Sequence, residues 1–131
     1  MQLQISKEGS FIPELNGNKG LVSTDQIIVK YRNPTVAIKN RCRRKPKMKG
    51  ISDSKGNMEN MEIVIEKDEL ATLNEMLISI SGCSYNDAER ENAIATAKDL
   101  INAPVAFEPL LKEIVAEFDR VLDNVEISEK N

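Results

Sequence analysis

Cys42 and Cys83 are the only thiols in the chain, and no histidine is present to activate either of them. Histidine is the commonest general base and the usual partner of a serine or cysteine nucleophile, so its absence removes most nucleophilic chemistry. The two cysteines lie far apart and fit no zinc spacing, which leaves no basis for a structural zinc site. They read as free thiols of a reducing compartment. Cys42 stands among Arg41, Arg43 and Arg44, whose charges should favour its thiolate. Paired carboxylates are another route to acid–base work, but Asp87, Glu89 and Glu91 read more simply as a solvated surface. Gly17, Gly20, Gly50 and Gly56 match neither the P-loop nor the dinucleotide spacing. No cofactor or metal is implied, and the chain reads as a non-enzyme.

Binding chemistry remains. Between Lys30 and Lys55 there are ten Lys or Arg residues against one acid, Asp53, a local charge of +9 in a chain of net −3. The remainder therefore carries −12, and the molecule is electrostatically divided. Lys39, Arg41, Arg43, Arg44, Lys45 and Lys47 form a candidate basic docking patch. It reads as a solvated helix end, as a surface for an acidic protein, or, over 39–49, as the contact of a small nucleic-acid-binding regulator. Against nucleic acid stand the overall acidity and a single adjacent aromatic, Tyr31, which makes no stacking platform. No apolar run approaches the ~20 residues of a membrane span. The start, MQLQISKEGS, lacks the basic and apolar regions of a secretory signal, so the expected location is the cytoplasm.

A second candidate surface lies near the C-terminus. Phe107, Leu110, Leu111, Ile114, Val115, Phe118, Val121 and Leu122 repeat at helical spacing. At ~100° per residue they fall within an arc of roughly 140°. The stripe is either the backbone of the core or a partner-binding face, with Phe107, Leu110, Leu111, Ile114 and Phe118 as its contact residues. Exposed, it would also drive weak homo-oligomers.

The elements that must position these residues read as a single domain, 1–131. Its β-rich part, 1–67, carries one basic helix; a helical part, 68–125, follows, with a frayed tail at 126–131. LQIS reads as a short strand and KEGSFIPELNGNKG as a loop rich in turn formers. QIIVKYR, residues 26–32, reads as a strand. Asn33 at N-cap and Pro34 at N1 would start a helix from Thr35 to Arg44, ended by Pro46. Lys47–Ser52 and Met61–Glu66 read as strands joined by a loop at 53–57. Leu70, Leu73, Met76, Leu77 and Ile80 predict a helix from near Asp68 that closes at Gly82. Residues 83–92 are polar and read as a loop or a loose turn of helix. Thr96 and Asp99 nearly match a capping box for a short helix ending at Ala103-Pro104, and Pro109 fits the first turn of the long helix. The fold class is α+β: a short N-terminal sheet or hairpin region of about three to four strands, then a helical C-terminal half with a long amphipathic final helix.

The C-terminal organisation resembles the tail assembly chaperones of long-tailed bacteriophages. The features that carry the likeness are the segment DELATLNEMLISISG, a polar linker, and a short helix of the form T-x-x-D-L-x-x-x-P at Thr96–Pro104. The amphipathic FEPLLKEIVAEFDRVL and an acidic end follow, so about half the chain is covered. The resemblance implies a non-enzymatic role. Proteins of that family coat the helical tape-measure protein, keep it soluble and help recruit tail-tube subunits. It also implies that a longer, frameshifted form could arise at Glu129-Lys130-Asn131, whose codons permit an A-rich slippery run. An alternative is a structural tail or head–tail connector protein of the phage particle.

Overall fold

The computed structural model describes residues 1–43, 47–52, 58–64, 68–123 and 128–130, with side chains described for 1–43 and 68–123. In chain order come β1 (Gln2–Gln4), β2 (Glu8–Phe11), a 3₁₀ segment (Leu15–Gly20), β3 (Ile28–Arg32) and α1 (Val36–Cys42). Then follow β4 (Lys47–Ser52), β5 (Met58–Val64), α2 (Glu69–Met76), β6 (Leu77–Ser81), β7 (Ser84–Asn86) and β8 (Glu91–Ala93). The chain continues through α3 (Ala97–Ile101), a 3₁₀ turn (Val105–Phe107), α4 (Glu108–Asp123) and β9 (Ser128–Lys130). This is a mixed α+β fold, as the sequence predicts.

The central sheet has the order β2-β3-β6 and is antiparallel throughout. Lys30 is exposed on β3 whereas Val29 is fully buried, as the period of two requires. The register shifts between Lys30 and Tyr31, so that Lys30 faces Ser79 but Tyr31 faces Leu77, with Ile78 as the extra residue. That bulge brings Leu77 and Ile80, three apart, to the same buried side. The predicted helix from Asp68 to Gly82 is therefore corrected to a helix and a strand. α2 ends at Met76, and the bulged β6 imitates helical spacing because its buried residues recur every third position.

Other boundaries moved for identifiable reasons. Asp68 caps α2, its side chain accepting from the Ala71 amide at 3.1 Å. For α1 the cap is Thr35, whose hydroxyl accepts from the Ile38 amide, not the predicted Asn33. Asn33 is committed elsewhere: its backbone amide binds the Lys7 carbonyl and its side chain binds that of Ser6, tying β3 back to the start of β2. The stretch after Cys83 is a hairpin, β7–β8, whose turn is closed by Asp87 accepting from the amides of Glu89 and Arg90. The predicted frayed tail is also corrected, since Ser128–Lys130 pairs antiparallel with Gln2–Gln4. Backbone pairing needs no apolar pattern and so leaves no periodic trace.

Lys47–Ser52 is a strand as expected, and its partner runs from Met58 to Val64. The predicted loop at 53–57 and residues 65 and 66 of the predicted second strand lie outside the described residues. On either side of this hairpin, the Cys42 carbonyl accepts from the Asp68 amide at 3.2 Å, so α1 and α2 are joined where the hairpin leaves and rejoins them.

α4 packs its stripe against the sheet and α2. Leu110, Ile114 and Phe118 have no exposure, and Val115, Val121 and Leu122 are buried with them. Phe118 meets Phe11 edge-on, with ring centroids 6.2 Å apart, and Tyr31 at 5.5 Å. The Tyr31 ring lies over Gly9, where an added Cβ would come within 2.5 Å of it. Burying a leucine or phenylalanine contributes about 1.5–3 kcal/mol, so this stripe is the main apolar contribution of the C-terminal half.

Gly82 has φ +72°, and a Cβ there would stand 2.2 Å from the Gln26 carbonyl oxygen. Gly82→Ala is expected to lower stability by about 1–3 kcal/mol, read as a shift in urea midpoint. Gly20→Ala, with nothing within 4 Å of the new carbon, should shift it little.

Candidate functional site

The two surfaces singled out by sequence meet different fates. Of the stripe residues, Leu110, Ile114 and Phe118 are closed into the core, while Phe107 and Leu111 are half-buried at its edge. The stripe is therefore core along most of its length. Arg43 is drawn inward as well: its guanidinium donates to Asp119 at 2.7 Å and Asp123 at 2.9 Å, and its side chain is only 12% exposed. Burial works against its charge, but the Asp123 and Asp119 carboxylates more than offset this and hold its pKa above the ordinary arginine value. Arg41 makes a two-pronged pair with Glu75, at 2.7 and 3.0 Å. Bidentate arginine–carboxylate pairs are the geometrically specific kind. The basic end of α1 is thus used to dock that helix onto α2 and α4. Lys39 is exposed; Arg44 and Lys45 lie outside the described residues, and of Lys47 only the backbone, in β4, is described.

Neither cysteine is activated. Cys42 is fully buried, and burial pushes its thiol pKa up despite a hydrogen bond with Thr72 and the nearby charges of Arg43 and Arg41. This corrects the expectation of a favoured thiolate, because desolvation outweighs the cations once those cations are spent on carboxylates. Burial pushes the Cys83 thiol up too. Among the described residues no three His, Cys, Asp or Glu side chains are placed to hold a metal ion. No described helix is long and apolar enough to cross a membrane.

The surface feature that sequence reading missed lies where the stripe begins. A groove of about 390 Å³ is lined by Leu15, Leu21, Ile27, Ala106, Phe107 and Leu110, with Asn16, Asn18, Asp25 and Gly82 completing it. One wall is the 3₁₀ segment and the turn after it; the other is the 3₁₀ turn leading into α4. Exposed apolar residues crowd this region: Leu21 is 49% exposed, its neighbour Val22 66%, and Val105, beside Ala106, 82%. Phe107 is held from behind by Tyr85, their centroids 5.7 Å apart.

Both walls are fixed by polar contacts. Asn18, 3% exposed, donates to the carbonyls of Pro13 at 2.8 Å and Ile27 at 3.0 Å, and accepts from the Ile27 amide at 2.7 Å. Its side-chain amide thereby engages Ile27 as a neighbouring strand would. Asn16 and Gly17 take positive φ, which these two residue types tolerate best. Glu113 of α4 accepts from the amides of Glu14 at 2.6 Å and Leu15 at 3.1 Å, fastening the wall to the helix. On the other side, the capping box is complete. Thr96 accepts from the Asp99 amide, and Asp99 accepts from those of Thr96 and Ala95. The short helix then hands over through Pro104 to the 3₁₀ turn.

The sequence signal for this groove was weak. NGNK is turn-forming, and the contacts of Asn18 and Glu113, far apart in sequence, help to order it. No protein-family model, curated protein or solved structure matches the chain.

Two outcomes follow. Native protein should react with a thiol reagent only as fast as it opens, with both cysteines labelling promptly once unfolded in denaturant. The Asp99 carboxyl is held below its ordinary pKa by the Ala95 amide first and the Thr96 contacts after it. Its stabilising contribution is thus present above the unfolded value of about 3.9 and is lost as pH falls through the lower folded value. Asp99→Asn should shrink the difference between urea midpoints measured at about pH 6 and about pH 3.

Proposed function

We propose that this chain is a non-enzymatic phage tail assembly chaperone acting in the host cytoplasm, which docks helical segments of the tape-measure protein and helps recruit tail-tube subunits. The observation that carries the reading is the groove lined by half-buried Phe107 and by exposed Leu21 and Ala106, with exposed Val22 and Val105 next to them in sequence. An amphipathic helix docks by inserting apolar anchors from successive turns into such a groove. Neighbouring exposed apolar residues mark an interaction surface better than scattered ones do. The 3₁₀ turn Val105–Phe107 that forms one wall lies in the chain between the capped helix Ala97–Ile101 and the long α4, the segments that carry the family likeness. Many weak copies along one long target would add by avidity.

Docking through this groove differs from docking through the stripe itself, whose central residues are occupied in the core. Leu21→Asp and Val105→Asp change exposed side chains and should leave the melting temperature nearly unchanged. Each is expected to weaken tape-measure binding about tenfold or more and to abolish its solubilisation on co-expression. Full rescue by both variants would remove the groove from the proposal. Recovery of the protein in finished particles would favour a structural tail or connector component instead.

A further inference from the structure

We infer that the groove selects its partner by charge through Asp25, taking a helix that sets a lysine or arginine beside its apolar anchors; this rests on the docking role proposed above. Asp25 is the one charged residue among those lining the groove. Its carboxylate has no hydrogen bond or ion pair among the described residues. Other carboxylates of the loop and α4 are engaged, Glu14 with Lys19, Glu113 with two loop amides and Glu117 with Arg120. Exposed Glu108, next to Phe107 in sequence, lies outside the groove's lining. Asn18, the groove's buried amide, is committed to Pro13 and Ile27. What the groove's lining offers an incoming helix is therefore a mixed surface of apolar side chains and Asn16, with one charged side chain, Asp25, uncommitted among the described residues.

That charge sits on a prepared support. The Asp25 amide donates to the Val22 carbonyl at 2.9 Å, and the adjacent Gln26 side chain donates to the Lys19 carbonyl at 3.0 Å. The turn that carries the carboxylate is thus held before any partner arrives. A helix covering the groove with apolar or neutral groups alone would strip water from Asp25 without replacing it, and an acidic one would meet repulsion. A cation within a turn of the anchors restores a partner to the carboxylate while the anchors fill the groove. Rim charges of this kind set choice of partner more than total affinity.

The test uses the full chain and two synthetic amphipathic peptides of about 20 residues, long enough to hold helical structure. They share one leucine face; one carries lysines beside it, the other glutamates. Binding is followed by fluorescence anisotropy at two salt concentrations. The lysine peptide is expected to bind about fivefold to tenfold more tightly, with the preference shrinking at high salt. Asp25→Asn should erase most of the preference, and Asp25→Lys should reverse it. Glu8→Gln, on β2 and outside the groove, should leave it intact. The inference is overturned if Asp25→Asn keeps the full preference, or if Glu8→Gln reduces it equally, since the general negative field of the chain would then be the cause. If neither peptide binds, or Leu21→Asp leaves both bindings untouched, the docking role itself fails and the inference with it. Loss of both bindings in Leu21→Asp, with the preference unchanged in Asp25→Asn, would leave the groove and remove only its charge selection.

Discussion

Three aromatic rings drawn from distant parts of the chain, Phe11, Tyr31 and Phe118, meet within 6.4 Å of one another between the central sheet and α4. In a protein with five aromatic residues and no tryptophan, this is where the largest rigid side chains are concentrated. The other two, Tyr85 and Phe107, pair at 5.7 Å just before the same helix. Both clusters therefore bear on α4. Edge-to-face rings have directional preference that aliphatic contacts lack, so they fix how the helix lies as well as whether it binds. Residues 11 and 31 must already share a sheet for Phe118 to find them, and Gly9 must stay bare for the Tyr31 ring to fit. The β part and the helical part of this chain thus depend on each other.

That dependence explains what could be read in advance. Where one periodicity dominates over several turns, as in α4, the sequence states the element, its buried face and its approximate ends. The capping box at Thr96 and Asp99 was legible for the same local reason: both partners lie within one turn. β3 was legible from Ile28, Val29 and Tyr31. β6 was not, because its bulge spaces buried residues by three and so borrows the signature of a helix. That strand lies within the part that reads as helical, 68–125, yet completes the sheet begun by β2 and β3. The groove was illegible for a different reason. It is assembled from the 3₁₀ segment, Gly82 and the approach to α4, and no window of sequence contains all three.

Charge tells a related story. The basic island looked outward in one dimension, but Arg41 and Arg43 face Glu75, Asp119 and Asp123 across the helix interface. Part of the separation of sign along the chain is therefore internal complementarity between an early helix and two later ones. Exposed pairs of this type contribute little each. The Arg43 pair is more enclosed, and its value is greater in orientation, since two carboxylates one turn apart on α4 admit the guanidinium in only one place. The same accounting finds no partner for the Asp25 carboxylate among the described residues.

The hydrogen bond between the Cys42 carbonyl and the Asp68 amide bears on where the chain tolerates a change of length. It works as a clasp: for the helices on either side, residues 42 and 68 are next to each other whatever the chain does between them. Changing the length of the bracketed segment then perturbs mainly the entropy of closing a loop, which grows by only about 0.6 kcal/mol for each doubling. Insertions and deletions that would wreck the sheet elsewhere cost little at this point. The span between residues 42 and 68 is thus the place where a change of chain length disturbs the aromatic-locked body least.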